Sequence, residues 1–224
     1  MIEGLSGQDL SGQDWSEMDL SGADLREADL TSANLTGADL QGADLTGATL
    51  TITNLYKANL EGANLTSARN LRYAKLVLAN LTGADLSKTH LSRAELTLCV
   101  LSRANLKGAD LTGADLIETN LVGANLEGAK LERACLFKAN LKGANLKWTD
   151  LRGADLEGAN LEGADLTNAN LSRADLTGAD LTNANLFGTN LRGANLFGTN
   201  LRGADLTGAD LTNANLEGVV GLES

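Results

Sequence analysis

The chain has 224 residues, of which 43% are hydrophobic, a composition that folds rather than staying an acidic disordered tail. A formal net charge of −11 disfavours nucleic-acid phosphate as a ligand for the surface as a whole, because such binding exchanges protein cations for counterions. Two cysteines and one histidine exclude a disulfide framework and a His-pair metal site.

The opening segment, MIEGLSGQDLSGQDW, lacks a basic stretch followed by an apolar one, and no apolar run nears the roughly 18 residues of a membrane helix. The protein is therefore expected to be cytoplasmic, with no membrane partner. From Leu5 onward the sequence repeats every five residues. Leu stands at every fifth position to Leu65, with Trp15 in one place, and again at every fifth position from Leu71 to Leu216, which makes 43 units. A typical unit reads Ala, Asp or Asn, Leu, a polar residue, Gly, as in Ala43-Asp44-Leu45-Thr46-Gly47.

A helix cannot use this period, since a step of five residues at about 100° each carries successive Leu around the axis. A straight strand fails too, because an odd period sends alternate Leu to opposite faces. The chain must turn within each unit, with Leu and the Ala two before it pointing inward and small residues at the corners. Gly in the fifth place permits corner dihedrals that are costly for a β-branched residue.

These units resemble the pentapeptide-repeat family, and the resemblance runs from Leu5 to Leu216. It implies an all-β fold, a right-handed quadrilateral parallel β-helix in which Asp and Asn face outward in stacked ladders. Four units per coil give about eleven coils, and a stacking distance of roughly 4.8 Å makes a rod about 50 Å long. The expected organisation is a single solenoid over 1–224 with one-residue bulges near 66–70 and 217–221. Spacings of six set these bulges, from Leu65 to Leu71 and from Leu216 to Leu222. At the first, the alternative is a hinge between two rods. Trp15 and Met18 are placed to plug the N-terminal end, and the blunt C-terminal end is expected to allow end-to-end homodimers.

Catalytic, cofactor and metal sites are not expected. Paired carboxylates need a cleft that a smooth rod does not offer. Cys99 takes an inward Ala slot, whereas Cys135 and His90 take outward ones, so no nucleophile and base come together. Counting units modulo four assigns outward residues to faces. One face collects Arg72, Arg93, Arg133, Arg152, Arg173 and Arg192, with Arg69 and Lys130 beside them. It is either a chance excess offset by Asp110, Glu132 and Asp150 or a stripe for an acidic partner. The next face bears Tyr56, Val77, Ile117 and Phe137, with Leu78 and Leu98 one place on. That ridge is either an interface or side-chain stacking without a partner.

The function expected is a non-enzymatic protein-interaction scaffold, its protein partner unknown. The alternative, implied by the resemblance, is a DNA-mimicking binder of DNA gyrase that gives quinolone protection. Against it stand the absence of Phe at central positions, the short tail, the absence of loop insertions and the Arg stripe.

Overall fold

A computed structural model describes residues 4–68 and 70–222. Each unit makes one side of a four-sided coil, and the residue before each Leu bridges in parallel to the residue one coil on. That partner lies twenty positions later, as in Asp9 to Asp29 and Asp24 to Asp44. Four ladders result. Side 1 carries Asp9, Asp29 and Thr49, then His90, Asp110, Lys130 and Asp150; side 2 carries Asn34, Asn54, Lys75, Glu95, Asp115, Cys135 and Asp155. Sides 3 and 4 carry the ladders through Val100 and Asn105.

The hydrogen bonds show why five residues suffice. Leu10 N–H donates to the Asp29 carbonyl at 2.8 Å, and Asp29 N–H returns a bond to the Gln8 carbonyl at 2.9 Å. The chain then turns, closed by bonds such as Ala28 N–H to the Leu25 carbonyl at 3.1 Å. The third turn residue has positive φ throughout, as a type II turn requires. Gly meets this demand at no steric cost, but it is not obligatory: Arg93 (φ 58°) and even β-branched Ile52 (φ 58°) take the same place.

Asp and Asn recur before Leu because one oxygen serves the next turn. Asp9 Oδ1 accepts both the Ser11 N–H at 3.0 Å and the Ser11 hydroxyl at 2.6 Å. The ladder bond expected along the stack forms at part of the amide donors, as in Asn34 Nδ2 to Asp14 Oδ1 at 2.9 Å and Asn59 Nδ2 to Asp39 Oδ1 at 2.9 Å. Two stacked carboxylates have no proton to share.

Leu and Ala point inward and form one continuous core, with Leu116 and Leu136 each 1% exposed. Thr replaces Ala at Thr53, Thr119 and Thr189, and each buried hydroxyl donates to a carbonyl of the preceding coil; Thr119 Oγ1 to the Leu96 carbonyl is 2.7 Å. In the first coil the Ala slot holds Gln8, Gln13 and Met18. Trp15 packs half-buried against the core end, but Met18 stays exposed rather than plugging it.

Between Asn54 and Lys75 the register steps to twenty-one, and twenty-one holds for Asn59 to Asn80 and Asn64 to Asp85 before twenty returns at Lys75 to Glu95. The extra residue falls in 66–70, where Asn70 has φ 58°; Arg69 lies outside the described residues. At the other expected bulge, 217–221, the register is still the ordinary twenty at Val220, which bridges Asn200. Only beyond it does the backbone depart, at Gly221 with φ 90°.

Candidate interaction surface

At each corner the third turn residue donates its N–H to the second turn residue one coil on, so corner side chains stack in register. The bonds Lys57 N–H to Val77 carbonyl (3.0 Å), Leu78 N–H to Thr97 carbonyl (3.2 Å), Leu98 N–H to Ile117 carbonyl (2.9 Å) and Glu118 N–H to Phe137 carbonyl (2.9 Å) build one such stack. It brings Tyr56, Val77, Leu78, Leu98, Ile117 and Phe137 together at the corner between sides 2 and 3. Tyr56, Leu78 and Leu98 are exposed, the last by 44%, while Val77, Ile117 and Phe137 are half-buried. Five coils at roughly 4.8 Å make this apolar ridge about 20 Å long. Lys57 Nζ over the Tyr56 ring (5.1 Å) and Lys138 Nζ over the Phe137 ring (4.9 Å) close it at either end with cations.

The arginines stack at the opposite corner of the same flat side, between sides 1 and 2. Sequence counting places the two sets on two faces. The turns instead put them on the two corners that flank side 2, because both turn residues leave the plane of the bridge. Side 2 is thus a strip bearing Lys75, Glu95, Asp115, Cys135 and Asp155, with an apolar rim along one edge and a cationic rim along the other.

The cationic rim has paired and unpaired members. Arg152 Nη2 meets Asp150 at 2.7 Å and Glu132 at 3.2 Å, and Arg192 Nη1 meets Asp210 at 3.1 Å. The Asp150 carboxyl is held below the usual range by the Arg152 side chain, with burial opposing. The Thr212 hydroxyl and N–H, and then Arg192, lower Asp210. Arg133 reaches Glu132 only at 3.9 Å, and its side chain is 82% exposed. Among the described residues, Arg72, Arg93 and Arg173 have no carboxylate within 4 Å. Arg93 instead bonds the Tyr73 hydroxyl at 3.1 Å, and both Arg72 and Arg93 lie about the Tyr73 ring. A groove of about 650 Å³ runs along the lower rim among Arg133, Arg152, Arg173 and Arg192.

The two cysteines are not brought to a base that activates them. Burial pushes the Cys99 thiol far up, and its Sγ lies 3.2 Å from the Ala79 carbonyl. Burial also raises Cys135, which faces Asp155. Among the described residues no group of three or more His, Cys, Asp or Glu could hold a metal ion. Among the described residues no helix is long and apolar enough to cross a membrane.

Among the exposed residues that escape the sequence count are Ile52 and Tyr73 on the cationic corner, and Trp148, 63% exposed, on the corner between sides 4 and 1. All three are third turn residues. Tabulating that position, rather than the one after Leu, would have found them.

A family model described as pentapeptide repeats matches the chain in eight copies, over stretches running from residue 5 to residue 220. Among solved structures, the chain is similar to HetL, a pentapeptide repeat protein involved in heterocyst differentiation regulation from the cyanobacterium Nostoc sp. strain PCC 7120. The two are 41% identical over 89% of this chain and 90% of that one, with a TM-score of 0.88. It is also similar to QnrB1, a plasmid-mediated fluoroquinolone resistance protein, at 18% identity over 83% of this chain and 89% of that one, with a TM-score of 0.55. Those neighbours are right-handed quadrilateral β-helices, and this chain has the same architecture. No curated protein sequence matches the chain.

Proposed function

Because the chain belongs to the pentapeptide-repeat family, whose members are generally non-enzymatic interaction proteins, we propose that it is a rigid scaffold that regulates another protein by binding it along side 2. The observation that carries this is the apolar ridge at Tyr56, Val77, Leu78, Leu98, Ile117 and Phe137, stacked over five coils at one edge of that side. A row of aromatic and aliphatic side chains on a rod, with Thr97 and Glu118 as its polar members, is the kind of surface that partners desolvate. The rod is stiff because each coil is bonded to both neighbours, so binding costs little conformational entropy on this side.

The neighbour that is 41% identical and is involved in heterocyst differentiation regulation supports a developmental setting for this reading. Expressing this chain in a heterocyst-forming cyanobacterium should alter heterocyst spacing. The double variant Ile117→Ser with Phe137→Ser, which leaves the core Leu in place, should not. A double variant as active as the parent would contradict the proposal. Gyrase binding is not adopted: the likeness to QnrB1 concerns the fold alone, and the arginine corner interrupts the acidic surface that mimicry of duplex DNA needs.

A further inference from the structure

We infer that the lower arginine corner is a docking groove for an acidic segment of the partner protein, with Arg133 and Arg173 as its free anchors. The inference rests on the scaffold function proposed above and names the chemistry of one part of the partner. Three observations carry it.

The first is how the groove is built. Arg133 and Arg173 occupy third turn positions two coils apart, each followed one coil on by a glycine. Arg133 Cγ lies 3.9 Å from where a Cβ on Gly153 would stand, and Arg173 Cγ lies 3.8 Å from the same point on Gly193. Each side chain therefore runs along the corner over a bare glycine instead of stacking on another side chain, and the space beyond is the groove of about 650 Å³.

The second is the division of labour among the four arginines. Asp150 and Glu132 hold Arg152, and Asp210 holds Arg192. Arg173 has no carboxylate within 4 Å among the described residues, and Arg133 has only the distant edge of Glu132. Two guanidinium groups thus keep their paired-donor geometry free for a carboxylate from outside.

The third is charge complementarity. The chain carries a net charge of −11, so an acidic segment is repelled by most of the surface and attracted at this corner, which fixes where and in what register it docks. Two coils at roughly 4.8 Å separate the anchors by about 10 Å, close to three residues of an extended segment at about 3.3 Å each. A short acidic strand matches that span. A long nucleic acid would extend past the groove onto the acidic flanks and be repelled there.

The test is fluorescence anisotropy of a labelled deca-glutamate peptide titrated with the full chain at low salt. Saturable binding that weakens as salt rises is expected, and Arg133→Glu with Arg173→Glu should reduce affinity at least tenfold. Arg103→Glu with Lys88→Glu is the control of equal charge change. Arg103 and Lys88 hold the same turn position over Gly123 and Gly108 on other corners, and their reversal should change affinity less than twofold. Circular dichroism confirms that each variant is folded. No saturation by the parent chain, or equal binding by the Arg133/Arg173 variant, overturns the inference. Tighter binding of a single-stranded oligonucleotide of the same charge overturns it in favour of nucleic acid. If the peptide fails while Ile117→Ser with Phe137→Ser still abolishes the effect on heterocyst spacing, the scaffold function stands and only this inference falls.

Discussion

The Arg173 side chain lies over Gly193, its Cγ 3.8 Å from the point where a Cβ on Gly193 would stand. The same pairing of a long third turn residue with a glycine one coil on recurs at Lys88 over Gly108, Arg103 over Gly123 and Lys138 over Gly158. At these corners a long side chain lies along the axis over a bare neighbour.

Backbone conformation and side-chain space make separate demands at these corners, and two substitutions tell them apart. Ile52 is β-branched, exposed and held at φ 58°, a conformation that costs an L residue about 1–2 kcal/mol. Ile52→Gly should therefore raise stability by about 1 kcal/mol in urea unfolding, even though it removes an apolar side chain. Gly193→Ala should lower it by about the same amount, because the new Cβ has ordinary contact room but φ is +64°. A loss on Ile52→Gly would show that its side chain packs usefully or that its φ is not strained.

Core substitutions should act through the Leu stack. Leu116 is 1% exposed and enclosed by the coils on both sides. Leu116→Ala should cost about 2–5 kcal/mol, and Leu116→Lys, which buries an unpaired charge, should unfold or fray the middle of the rod. Thermal unfolding followed by circular dichroism reads both. Unchanged stability for Leu116→Lys would mean that this side chain does not point inward.

Acid should weaken the rod even though it neutralises a chain of net charge −11. The Arg26 side chain, with its backbone N–H, holds the Asp24 carboxyl at about 2 against an ordinary 3.8. The hydroxyl and N–H of the residue two places on lower Asp9, Asp14, Asp19 and Asp205 in the same way. A carboxyl whose pKa is depressed by folding contributes stability that is fully present above its unfolded value and lost as pH falls through its folded one. The thermal midpoint should therefore be flat from pH 8 to about 5 and fall between pH 4 and 2. A midpoint that rises below pH 4 would show that relief of charge repulsion outweighs the turn bonds.

Much of this architecture was legible because it depends on period alone. Leu every fifth residue and Ala two before it define the core without reference to any contact, and Asp or Asn before Leu marks the outward ladder. Placement around the corners was less legible. Arg93 and Leu98 are counted from a neighbouring Leu, but the turn swings them off the plane of that Leu, so two sets assigned to adjacent faces prove to edge a single side. The end of the repeat was less legible for a related reason. The six-residue gap from Leu216 to Leu222 does not say where the backbone departs, whereas pairing keeps the ordinary register through Val220. Hydrogen bonds follow the backbone, and a count of Leu follows only the side chains.

The most direct measurement of the scaffold function is site-specific photo-crosslinking in cells, with benzoylphenylalanine placed at the position of Phe137 on the ridge or at that of Phe187, which is 46% exposed on the corner between sides 4 and 1. A discrete adduct with another protein from position 137 and none from position 187 is the predicted result. No adduct from 137, or equal adducts from both positions, would contradict binding along side 2.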